Sequence, residues 1–220
     1  RVTYGCTMKD RNAIAHELQE LIQRHYYSED FELVSAVRAF QAGLSIPERD
    51  ELRAVVLGRL LDEGSMVDIL LCSVIDVPSA GPVLAHKLDR ESVPSQLTRT
   101  LITAVQSYPG DEAFRAVERF VDSDQEGEAL AALARLDFNR AWPYLVRAMD
   151  REHFHGPLLH MLHERAKLVG VPALALEIKA LAQRGPGALP EQLRRVLLAK
   201  PAPYNPFMGE DLERLRRALS

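Results

Sequence analysis

The chain has 220 residues, 47% of them hydrophobic and 26% charged, which excludes a largely disordered protein and leaves enough apolar material for a sizeable core. Its net charge of −4 argues against a nucleic-acid binder, which normally carries a strong basic excess. No apolar run approaches the ~20 residues needed to cross a bilayer.

Helical spacing runs through the whole chain, and strand signals are nearly absent. The first helix is predicted from Asp10 to Tyr27, with Asp10 as N-cap and Ile14, Leu18, Leu21 and Ile22 as its apolar stripe. A second covers 30–42, with Phe31, Val34, Val37 and Phe40 inward, and is expected to stop at a left-handed Gly43. A third begins at "SIPERDEL", with Ser45 ahead of Pro47 and with Leu52, Val55, Val56 and Leu60 inward. Further helices are predicted at 66–76, 79–89, 94–107, 111–122, 126–136, 139–149, 156–169, 171–183, 189–199 and 209–219. About twelve short helices joined by short loops make an all-α fold.

Three segments read alike: "AGPVLAHKLDRESVPSQLTRTLITAVQSY", "DEAFRAVERFVDSDQEGEALAALARLDFN" and "RAWPYLVRAMDREHFHGPLLHMLHERAKLVG". Each is an amphipathic helix ending in an aspartate (Asp89, Asp122, Asp150), then a short polar turn, then a second apolar helix. These segments resemble HEAT-type repeats, most clearly over 78–183. The resemblance implies a right-handed α-solenoid of stacked antiparallel helix pairs, in which each pair completes its core against its neighbours. The expected organisation is a flexible segment at 1–9, one repeat domain at 10–200, and a linker with a capping helix at 201–220. Leu212, Leu215 and Leu219 would dock that cap.

Cys72 lies in the apolar run "VDILLCSVID" and reads as a core residue, while Cys6 stands alone near the start. Two distant cysteines without a CxxC suggest a reducing compartment, and cytoplasmic placement is expected.

The stretch "REHFHGPLLHMLHE" holds His153, His155, His160 and His163. Within the 156–169 helix, Leu158, Leu162, Ala166 and Val169 form the expected core stripe, which places His160, His163, Glu164 and Lys167 on the opposite, open face. Imidazoles three and four residues from each other and from Glu164 make a metal-dependent enzyme the alternative reading. HExxH is absent, and Lys167 would repel a cation. The pairs His16-Glu17 and His163-Glu164 fall short of the several pairs of HEAT-built iron hydroxylases. No phosphate-cradling glycine loop or nucleophile elbow is present, and no cofactor is expected. Trp142 is expected to pack inward with Phe138, Leu145 and Met149 rather than to serve a glycosylase-like site.

The turns carry the stronger lead. Asp89, Glu91, Asp122, Asp124, Glu126, Glu128, Asp150 and Glu152 lie at or near turns between paired helices, broken only by Arg90 and Arg151. Stacking would line them along one acidic edge that attracts a basic protein. With His160, His163 and Glu164 from the inner face, that edge is the expected partner-binding surface of a non-enzymatic scaffold, adaptor or immunity-type inhibitor.

Overall fold

The computed structural model describes residues 9–25, 30–62, 64–91, 95–184, 189–198 and 208–219. Among them the chain forms thirteen α-helices, one 3-10 turn and no strand. The helices are α1 (Arg11–Arg24), α2 (Asp30–Ala42), α3 (Ile46–Asp62), α4 (Met66–Ile75), α5 (Ala80–Arg90), α6 (Gln96–Val105), α7 (Asp111–Glu118), α8 (Glu126–Leu136), α9 (Phe138–Met149), α10 (His155–Val169), α11 (Val171–Ala182), α12 (Leu189–Leu198) and α13 (Met208–Leu219). The 3-10 turn is Glu152–Phe154. The all-α expectation holds, and no described helix is long and apolar enough to cross a membrane. Cys6, most of the 1–9 segment, the linker at 201–207, the side chain of Phe31 and the predicted helix limits at Tyr27, Pro94 and Ala199 lie outside the described residues.

The chain divides into two compact units, 1–108 and 109–220. In the first, α1, α3 and α5 pack in succession, as do α2, α4 and α6, and each odd helix also packs on the even helix that follows it. Two layers result, with Leu18, Leu52, Leu60, Ile69, Leu84, Leu88, Leu101 and Ile102 sealed at the core. Each such side chain contributes about 1.5–3 kcal/mol by leaving water. Polar bonds set the helix starts. Asp10 caps α1 by accepting from the Ala13 amide at 2.8 Å, as predicted. Ser65 and Asp68 form a reciprocal capping box on α4, and Ser95 and Thr98 form another on α6. The buried Asp68 carboxylate also accepts from Arg59 Nε at 2.7 Å, and Arg59 reaches Gln19 on α1. One carboxylate thus pins α4 to α3 and, through the guanidinium, to α1.

Two local expectations change. On α2 the sealed residues are Leu33 and Val37, while Val34 and Phe40 are half-buried. A step of three drifts round a helix of 3.6 residues per turn, and the four-residue spacing is what faces the core. Gly43 ends α2 by donating to both Ala39 O and Phe40 O, without the left-handed φ expected of it. That conformation is taken by Gly64 (φ 61°) and Gly170 (φ 84°), and by Asp76 at the end of α4.

In the second unit α7 packs on α8, α8 on α9 and α10, and α9 on α10. A continuing ladder of pairs would next set α11 on α9. Instead α12 packs against α9 and α10, and α13 packs against α10 and α11. Helix α10 is therefore enclosed by α8, α9, α11, α12 and α13. Its sequence allows this, because Leu158, Leu159, Met161, Leu162 and Ala166 bury around more than one face. Trp142 packs inward with Phe138, Leu145 and Met149, as predicted, its ring 5.6 Å from that of Phe138.

Candidate functional site

The acidic turns of the second unit meet at one end of α7–α10. Antiparallel packing brings the exit of α7, the entry of α8, the exit of α9 and the entry of α10 together, and side chains tie them. Arg147 on α9 donates to Asp122 at 3.1 Å. Arg151, just past α9, grips both carboxylate oxygens of Glu126 and lies 4.5 Å over the Phe154 ring. Gln192 on α12 donates to Asp150 at 2.6 Å. Six carboxylates (Asp122, Asp124, Glu126, Glu128, Asp150, Glu152) share this end with three guanidiniums, Arg119, Arg147 and Arg151. Asp122, Asp124, Asp150 and Glu152 are exposed, and Glu126 and Glu128 are half-buried. The end is net negative, yet part of its charge is spent inside the protein. Glu126 in particular serves Arg151, whose proton it holds more firmly than usual. Asp89 and Glu91 belong to the first unit, at the end of α5. Asp122 lies in the turn beyond α7, Asp150 directly follows α9, and Asp89 is inside α5, so the three aspartates do not occupy one register.

Of the arginines that organise this end, the sequence pattern marks Arg151 alone, as a break in the acidic edge, and does not single out Arg140 or Arg147. Arg140, Tyr144, Arg147 and Arg151 recur at steps of four, three and four along α9, and they meet Asp111, Glu118, Asp122 and Glu126 in order. The Tyr144 hydroxyl donates to Glu118, which raises its pKa. The repeating i, i+4, i+7 spacing was the available signal; nothing local marks which acids it would meet.

The four histidines separate. His153 is exposed and tilts against Phe154 at 4.4 Å. His155 turns its Nε2 to Met149 O at 2.9 Å. His160 is exposed, as expected. His163 is not: only 1% of it is accessible. The expectation of an open face there fails because α13 covers it, placing Asp211 Oδ2 3.5 Å from His163 Nδ1. Neither ring nitrogen attains hydrogen-bond geometry. Burial lowers the His163 pKa, with Lys167 adding to the effect and Asp211 and Glu164 opposing it. Glu164 is half-buried and bonds Lys167 at 2.8 Å, which holds its carboxyl below the usual range. Val169, assigned to the core stripe, is 37% exposed at the end of α10. Among the described residues no three His, Cys, Asp or Glu side chains are grouped so as to hold a metal ion.

The surface that remains is a preorganised acidic end, suited to cationic groups on a partner. Asp122, Glu126 and Asp150 are held by side chains from neighbouring elements, which lowers the ordering cost of binding. No family model matches the chain, and neither a curated protein nor a solved structure matches it.

Proposed function

We propose that the chain is a non-enzymatic helical binding module of HEAT-like character that docks a basic protein through the acidic end of α7–α10. The observation that carries this reading is the gathering of six carboxylates at one end by the Arg147–Asp122 and Arg151–Glu126 pairs. The odd-on-odd and even-on-even packing of α1–α6 supports the repeat character. Complementary charge speeds encounter and selects the partner, while the exposed arginines limit the field to a patch. A cytoplasmic setting suits Cys72, a free buried thiol whose pKa burial pushes up to about 12, keeping it unreactive.

The test replaces Asp122, Asp124, Asp150 and Glu152 with Lys together. All four are exposed, so the fold is expected to persist, as circular dichroism would confirm. A partner captured by the native chain and then purified should bind the reversed chain at least about tenfold more weakly by calorimetry, with the salt dependence lost. Equal, salt-insensitive affinity for both chains overturns the assignment of this surface.

A further inference from the structure

A second surface of the same unit has the opposite character. Helices α11, α12 and α13 line a half-open cavity of about 710 Å³, within the span of small-molecule sites. Ile178, Leu193, Leu197, Leu198 and Leu219 form its apolar walls. Leu198 remains 58% exposed at its edge. Three cations, Lys179, Arg194 and Arg216, also line it, and no carboxylate does among the described lining residues. Arg216 is already engaged, donating to Glu213 and to Leu197 O. Lys179 is exposed, and the carboxylate paired with Arg194, Glu191, stands 3.7 Å away with both side chains mostly in water. Those two cations can turn to an incoming anion with little to give up. The surrounding chain agrees: residues 179–220 hold eight bases and four acids.

An apolar cleft bordered by exposed cations matches a ligand with one long apolar tail and one anionic head. We propose that the α11–α13 cavity binds a free long-chain carboxylate of the fatty-acid class. The tail lies along Ile178, Leu193, Leu197 and Leu198, and the carboxylate meets Lys179 and Arg194. The tail supplies affinity by leaving water, and the two cations select the head and set its direction. This site is separate from the acidic end and does not depend on the reading given to that end.

Calorimetry of the full chain with dodecanoate, below its micelle concentration, is the test. A saturable one-to-one isotherm is expected. Dodecyltrimethylammonium has the same tail and the opposite head, and it should bind at least about tenfold more weakly. The double variant Lys179→Glu, Arg194→Glu should lose about tenfold for dodecanoate and reverse the preference between heads, with its melting temperature nearly unchanged because both positions are exposed. Leu198→Asp, also exposed, should weaken dodecanoate by setting a hydrated carboxylate where the tail would bury. No saturable binding, equal binding of the two heads, or full affinity in the double variant overturns the proposal. So does tight binding of an acidic amphipathic peptide to the cavity with dodecanoate inert, which would make the surface a peptide groove.

Discussion

Glu48 and Asp68 bury carboxylates in the first unit, and both do so at a helix start. Glu48 accepts from the Ser45 hydroxyl at 2.6 Å, from the Ser45 amide and from the Lys9 amide. Those bonds, led by the Ser45 hydroxyl, lower its pKa from 4.5 to about 2. The folded chain therefore holds this carboxylate ionised where the unfolded chain would protonate it. Its stabilisation is complete above the unfolded value and is lost as pH falls from about 4.5 towards 2. In Glu48→Gln, melting temperature should fall less steeply across that window than in the native protein. Asp68 satisfies Ser65 and Arg59 together. Asp68→Ala should cost about 3 kcal/mol in urea unfolding, the lower end for a broken buried pair, because Arg59 keeps part of its side chain in water. His163 works in the opposite pH range from Glu48. Burial depresses its pKa, so the unfolded chain takes up the proton first, near about pH 6.5. The folded state loses stability as pH falls from there through the lowered value. His163→Leu should flatten the melting curve's pH dependence between about pH 7 and 5. A slope that steepens in the variant would mean that Asp211, not burial, governs this imidazole.

Helix starts are set locally by caps, of which Asp10 alone was read from the sequence, while α7 ends at Glu118, four residues short of its predicted limit at 122. Asp10, Ser65 and Ser95 each begin a helix through a side-chain oxygen on a first-turn amide. Gly170 joins α10 to α11 with φ at 84°. A β-carbon there is strained whatever the space around it, and Gly170→Ala should lower stability by about 1–2 kcal/mol. Of the three leucines expected to dock α13, Leu212 and Leu215 are 3% and 1% exposed and Leu219 is half-buried. What α13 covers was not expected. Leu215→Ala should cost about 2–5 kcal/mol and loosen α13 from α10. The His163 resonances in an NMR titration should then move towards an ordinary imidazole. A native-like titration in that variant would show that α13 is not what seals His163.

Across the whole chain, charge is distributed by region. Residues 61–178 carry 18 acids and 11 bases, and 179–220 carry eight bases and four acids. The sequence by itself determined the helices, most of their buried faces, the Asp10 cap, the inward Trp142 and the buried Cys72. Each follows from a period, a cap or a run of apolar residues within one or two turns of chain. It also showed that acidic turns would recur. Only the tertiary structure decided which helices meet. The sequence of α10 reads as a one-faced amphipathic helix when it is given one open side. Placed among α8, α9, α11, α12 and α13, it becomes a central helix, and α13 closes over its His163. Likewise Arg151 interrupts an acidic edge on paper, and in space it joins Arg147, which the sequence did not single out, in holding that edge together. The α11–α13 cavity draws its walls from residues as far apart as Ile178 and Leu219. Periodicity specifies a face for each helix; pairing those faces depends on contacts between segments distant in sequence, and no local pattern encodes them.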